Sequence, residues 1–143
     1  MKKDFPSVHD CKLMDLPVFD DMRGSLVAVE SGQDIPFELK RIFYISDLKN
    51  DKSRGGHAHK TLSEIIICLS GSLRVNVKDG TNYKTFYLDN KKKGLFLPPM
   101  IWASETHFLP STIYLVLASD NFKPSDYYKD YNEFEYVRNS AWQ

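Results

Sequence analysis

The chain has little that would staple it, span a membrane with it or polarise it. Its 143 residues include two cysteines, Cys11 and Cys68, too few for a disulfide framework. Cys68 sits inside an apolar run, where a buried free thiol is expected, and such thiols fit a reducing cytoplasm. No apolar run approaches the ~18 residues needed to cross a bilayer. The opening stretch MKKDFPSVHD has Lys2 and Lys3 but no apolar segment behind them, so no signal peptide is expected. An excess of either charge is also missing. Nineteen Lys+Arg balance nineteen Asp+Glu, which excludes a nucleic-acid polymer and a polybasic membrane contact as the main partner. Arginine is scarce: of the nineteen cations, Arg23, Arg41, Arg54, Arg74 and Arg138 are the only guanidinium groups. There is no internal repeat, linker or low-complexity segment. What remains is 42% hydrophobic, 13% aromatic and 27% charged, an ordinary folded composition. The length suits one domain over 1–143.

Short apolar segments separated by turn residues run along most of the chain. Gly24 to Glu30, Arg41 to Ser46, Glu64 to Leu69, Asn82 to Leu88, Gly94 to Leu97, Ile101-Trp102 and Ile113 to Ala118 are such segments. Ser72 to Lys78 alternates: Leu73, Val75 and Val77 on one face, Arg74, Asn76 and Lys78 on the other. That period of two marks a half-buried strand. Asp79-Gly80 follows, a dipeptide favoured in tight hairpin turns. Many short strands at this spacing predict an all-β sandwich or barrel, spanning about 20–120. The tail differs. Tyr127, Tyr131 and Phe134 repeat at helical spacing, so a short C-terminal helix is predicted over about 124–137, capped by Ser125 or Asp126. The tail's tyrosines read as packing residues.

The chemistry concentrates in Arg54-Gly55-Gly56-His57-Ala58-His59-Lys60. Two histidines two apart on a strand face the same way, and these are half of the chain's four. If that face is a barrel interior, two imidazoles share one cavity. From the residues alone, structural histidines, metal ligands and proton-transfer groups all remain open. Glu64 opens an apolar strand and either faces solvent or joins the histidines.

The spacing His57-x-His59, Glu64, Gly71 resembles the first motif of the cupin superfamily, which implies a double-stranded β-helix, or jelly-roll, barrel. The glycine usual before the first histidine is replaced by Asp51. In the second motif, around Gly94, Pro98 and Pro99, Ala103 falls where a histidine is usual, and His107 lies beyond it. The resemblance thus lacks a full metal set, and no metal or other cofactor is expected.

A closer resemblance covers 20–134. Asp21 to Leu26, Ile35-Pro36-Phe37, Lys40-Arg41, Arg54 to Lys60, Trp102, Leu117 to Ser119 and Asp126 to Tyr131 are similar to the nucleotide-sugar 3,4-ketoisomerases. The D-x-R-G and R-G-x-H elements also resemble the dTDP-sugar 3,5-epimerases. The resemblance implies an isomerase that moves the ketone of dTDP-4-dehydro-6-deoxy-glucose from C4 to C3. The galacto product is favoured over the gluco one, on Arg23, for 3-amino-3,6-dideoxyhexoses of surface polysaccharides. His57 is then the expected base and His59 its proton-shuttling partner. Arg23, reaching in from a partner subunit of a homodimer, and Arg54 would bind sugar or phosphate. Arg41 and Tyr44 would line the cavity. Lys60 is kept as a further substrate contact although it alternates away from the histidines, and Trp102 either stacks on the base or fills the core. Histidine suits the reaction because its ordinary pKa of about 6.5 lies near working pH. Where Glu64 faces inward, it is expected to raise the histidines' pKa. Two other readings stay open: a metal-dependent cupin oxygenase and a non-catalytic sugar-nucleotide binding module.

Overall fold

The structure, a computed structural model, describes residues 4–49 and 52–140. Lys2, Lys3 and Asp51, used above, lie outside the described residues. Among the described residues, twelve strands and one α-helix follow in order. They are β1 (Lys12–Asp15), β2 (Val18–Asp21), β3 (Gly24–Val27), β4 (Arg41–Ile45), β5 (Arg54–His59) and β6 (Glu64–Ser70). Then come β7 (Leu73–Lys78), β8 (Tyr83–Leu88), β9 (Lys93–Leu97), β10 (Trp102–Thr106), β11 (Ile113–Ala118), β12 (Tyr127–Tyr128) and the helix α1 (Tyr131–Asn139).

Two five-stranded antiparallel sheets, ordered β1-β9-β6-β11-β4 and β12-β5-β10-β7-β8, face each other across one core. This is the jelly-roll barrel expected. The alternation on β7 does what its period implies: Leu73, Val75 and Val77 are fully buried, and Arg74 and Lys78 are exposed. The central strand β6 reads as a continuous apolar run because both of its faces are covered. Ile66 and Cys68 point into the main core, while Ile65 and Ile67 pack outward against Leu16, Ile35 and Leu117. The Asp79-Gly80 turn is a four-residue loop, since Lys78 pairs with Tyr83. The Asp79 carboxylate closes it by accepting from Thr81 N and Asn82 N.

The tail departs from the expected helix. Pro124–Asp126 is a single 3₁₀ turn, β12 joins the sheet edge, and α1 begins only at Tyr131. The α1 cap is Asp130, whose Oδ1 accepts from Asn132 N at 2.8 Å. Neither Ser125 nor Asp126 caps α1. The helix docks through Phe134, fully buried against Ala58 and Met100. Arg138 secures its far end, donating to the carbonyls of Pro6 and Met100 at 2.6 and 2.9 Å. Ala58 therefore faces this outer cluster, and its neighbours His57 and His59 face inward.

The hairpin of β2 and β3 pairs with neither large sheet. It carries Phe19, Met22 and Leu26 in exposed positions. No helix among the described residues is long and apolar enough to cross a membrane.

Candidate active site

One end of the barrel opens into a cavity of about 350 Å³. Strand β5 supplies its most reactive wall. Gly55 and Gly56 have φ of +74° and +73°, a region open to glycine and strained for other residues. Gly56 is the extra residue of a bulge, since Ala103 pairs with His57 and Ser104 with Gly55. A Cβ on Gly55 would run into Glu105 Oε2 and lie 2.9 Å from the Ala103 carbonyl. The two glycines thus let the strand turn and make room for a carboxyl group beside the histidines.

His57 and His59 meet edge to face, ring centroids 5.1 Å apart. Tyr127, brought over them by the pairing of β12 with β5, sits 4.9 Å from His57 and 4.5 Å from His59. His59 Nδ1 lies 3.2 Å from Asp126 Oδ2, and His59 Nε2 lies 3.8 Å from Glu64 Oε2. Glu64 faces inward, its side chain 13% exposed.

Burial governs the protonation of these groups. It lowers His57, with the Gly55 carbonyl acting in the opposite direction. It lowers His59 to about 4, helped by His57 and opposed by Asp126. It raises Glu64 to about 8, helped by Glu105 and opposed by Arg41. Glu105 is pushed up to about 7 by burial, against the pull of Arg54. Near neutral pH the imidazoles are free bases and Glu64 is an acid. The expected rise in histidine pKa from Glu64 does not occur, because burial keeps Glu64 protonated near neutral pH and lowers both imidazoles.

Arg41, Tyr44, Arg54, His57 and His59 all line the cavity. Arg41 stacks over Phe43 at 4.5 Å, and Tyr44 stands at the rim, 68% exposed. The other three expected contacts lie elsewhere. Arg23 is 90% exposed at the tip of the β2–β3 hairpin, bound to Asp21 at 2.6 Å. Lys60 alternates outward, its Nζ 5.0 Å over the Tyr128 ring. Trp102 faces the outer cluster, 5.3 Å from Tyr131 and 5.8 Å from Phe134, and is partly buried there, away from the cavity.

Three cavity-lining groups, Tyr127, Glu105 and Tyr114, and the Asp126 carboxylate that meets His59 were given no site role from the sequence. Tyr127 and Asp126 were hidden because the tail reads as a helix. Glu105 had a signal: it sits two residues beyond Ala103 on a strand, hence on the same face. Tyr114 had none beyond a hydrophobic run. Glu105 Oε2 is buried with no hydrogen-bond partner among the described residues, and the buried Tyr114 hydroxyl has the Arg54 guanidinium as its polar neighbour.

Donor atoms of His57, His59 and Glu64 come within 4.8 Å of one another. As a metal set they fit poorly. Glu64 would have to give up its proton, and the third imidazole of the cupin pattern is replaced by the buried methyl of Ala103. His107 does not replace it; it is exposed, with its ring against Thr106 Oγ1 at 3.0 Å.

Fold and cavity together define a cupin-class barrel with a histidine pair at its mouth. Residues 9–139 match the family described as FdtA, WxcM-like, C-terminal, and the chain belongs to that family. It is 40% identical over 124 residues to a TDP-4-oxo-6-deoxy-alpha-D-glucose-3,4-oxoisomerase of Aneurinibacillus thermoaerophilus, covering 87% of this chain and 89% of the relative. A solved 3,4-ketoisomerase from Helicobacter canadensis is 41% identical with a TM-score of 0.88, over 91% of this chain and 98% of that one. The sugar 3,4-ketoisomerase QdtA of Thermoanaerobacterium thermosaccharolyticum, solved in complex with TDP, is 30% identical with a TM-score of 0.90, over 95% and 99%. The resemblance to 3,4-ketoisomerases expected from the sequence is borne out.

Proposed function

We propose that this chain is a TDP-sugar 3,4-ketoisomerase acting on TDP-4-keto-6-deoxyglucose by histidine-mediated proton transfer. The observation that carries the reading is the pair of neutral, edge-to-face imidazoles sharing one cavity. Moving a ketone from C4 to C3 requires removal of the C3 proton, stabilisation of an enediolate and return of a proton to C4. No electrons leave the substrate, so the chain's own acid and base groups suffice. His57 takes the C3 proton, and His59 carries a proton toward C4. A neutral imidazole is the form a base needs, and burial provides it. Arg41, Arg54 and the Tyr127 hydroxyl are the donors for the developing oxyanion; Tyr44 and the two guanidinium groups meet the sugar and pyrophosphate.

Arg23 fits this reading only across a homodimer. Its hairpin pairs with neither large sheet and exposes Phe19, Met22 and Leu26, an apolar surface suited to a second copy. In that arrangement Arg23 enters the partner's cavity, and the galacto product is the one we assign. The 3-keto sugar then feeds an amino-transfer reaction toward 3-amino-3,6-dideoxyhexoses of surface polysaccharide. The buried free thiols Cys11 and Cys68 suit the cytoplasm, where we place a single cupin domain.

Incubation of the protein with TDP-4-keto-6-deoxyglucose, followed by NMR, tests the assignment and reads the C4 configuration. Migration of the ketone to C3 supports it. Saturable binding without migration identifies a binding module instead. Gel filtration tests the dimer; an active species of monomer mass contradicts it.

A further inference from the structure

The turn just ahead of β12 does more than complete a sheet edge. We propose that Asp126 is a positioning residue for the proposed isomerisation, fixing the tautomer of His59 so that Nε2 is the nitrogen presented to the cavity with its lone pair. The inference deepens the isomerase reading and rests on it for its catalytic consequence, but not for its structural one.

The argument is a count of donors. Asp126 Oδ1 accepts from Thr61 N at 2.9 Å and Thr61 Oγ1 at 2.8 Å. Oδ2 accepts from Leu62 N at 3.3 Å and faces His59 Nδ1 at 3.2 Å. Backbone N–H groups hold both oxygens, and a backbone N–H only donates. Both oxygens are therefore committed as acceptors, and the ring nitrogen facing Oδ2 must be the one bearing hydrogen. The backbone keeps the carboxylate in place: Lys60 N donates to the Asp126 carbonyl at 2.7 Å, and the next residue, Tyr127, pairs with His59. With Nδ1–H turned to Asp126, Nε2 is left facing Glu64 Oε2 at 3.8 Å inside the cavity.

The chemistry follows directly. A proton in transit between C3 and C4 forms an N–H bond at Nε2 when it arrives and breaks that bond when it is delivered. The electron pair of the broken C–H bond stays on the substrate as the enediolate. While Nε2 holds the proton the ring is an imidazolium, and the carboxylate beside Nδ1 stabilises it. Asp126 does act in that direction, raising the proton affinity of His59 against the effect of burial.

The test uses Asp126→Asn, which keeps shape and one acceptor oxygen. With that oxygen held by Thr61, the amide turns its N–H toward His59 Nδ1 and forces the hydrogen onto Nε2. Ring-nitrogen NMR of ¹⁵N-histidine protein should show His59 as Nδ1–H in the native chain and as Nε2–H in the variant. Turnover number should fall by about 10²–10⁴-fold, with KM and TDP affinity unchanged. In a His59→Gln background, Asp126→Asn should cost nothing further, because its effect runs through His59. Three results would overturn the proposal: a native His59 carrying hydrogen on Nε2, full turnover in Asp126→Asn, or equal losses with and without His59. The NMR result needs no turnover. A failure of the isomerase reading, seen as no ketone migration by the native protein, is thus distinct from a failure of this one.

Discussion

His59 Nε2 on β5 and Glu64 Oε2 on β6 face each other at 3.8 Å across the cavity between the two sheets, each in its uncharged form near neutral pH. Burial pushes the histidine down to about 4 and the glutamic acid up to about 8. Ionising Glu64 adds a negative charge beside the histidines, whereas a protonated His59 is paired with Asp126 at 3.2 Å.

The pH dependence of activity follows. As pH rises through about 8, Glu64 loses its proton and its charge opposes the enediolate, so kcat/KM should fall. Glu64→Gln keeps a donor and cannot ionise, so the alkaline limb should flatten. On the acid side, activity should persist below the ordinary histidine range, because burial lowers both imidazoles. A pH–rate profile of the two proteins checks both limbs; an unchanged alkaline limb in the variant contradicts the role given to Glu64.

Stability follows the same groups with its own sign. The folded Glu64 value, about 8, lies above the ordinary 4.5. Between these values the folded state holds a proton that the unfolded chain releases, so stability falls as pH rises. Glu105, raised to about 7, acts the same way up to that point. His59, lowered from 6.5 to about 4, loses stability as pH falls through that window. The opposing effects overlap at acid pH, which leaves the glutamates unopposed from about 6.5 to 8. The melting temperature should decline across that interval, and less steeply in Glu64→Gln. Thermal melts at fixed ionic strength measure it.

The two glycines ahead of the histidines should differ on substitution. Both have positive φ, and an alanine there carries roughly 1–2 kcal/mol of backbone strain. Only at Gly55 does the new Cβ also meet Glu105 Oε2 and the Ala103 carbonyl; at Gly56 nothing lies within 4 Å. Gly55→Ala should therefore be the more destabilising and should displace Glu105, lowering turnover. Denaturant unfolding with a parallel activity assay compares them, and equal losses would contradict this packing.

Phe134 links the tail to the site. It is fully buried against Ala58, whose neighbours on β5 are the two histidines. Phe134→Ala should cost about 3–5 kcal/mol and loosen α1 and, with it, β12. Unfolding free energy reads the first effect. A drop in kcat beyond that explained by the unfolded fraction reads the second, since Tyr127 and Asp126 reach the site from the same segment.

Much of the site was legible because a strand's period is two. His57 and His59 had to share a face, and Leu73, Val75 and Val77 had to point into a core. Glu105 obeys the same rule, two positions beyond Ala103 on β10. The tail was not legible for a physical reason. Tyr127, Tyr131 and Phe134 fit a helical stripe, but Tyr127 belongs to a strand formed by pairing with a segment nearly seventy residues earlier in sequence, and no local pattern reports such a partner. Trp102 misled in the opposite sense: its side chain alternates away from the cavity, onto the face that α1 covers.

The most direct test of the central claim is to follow TDP-4-keto-6-deoxyglucose by ¹H NMR with the native protein and with His57→Asn side by side. The account predicts migration of the ketone to C3 by the native protein. It predicts a loss of about 10²–10⁴-fold in the variant, with TDP affinity retained. Full activity in His57→Asn would contradict it.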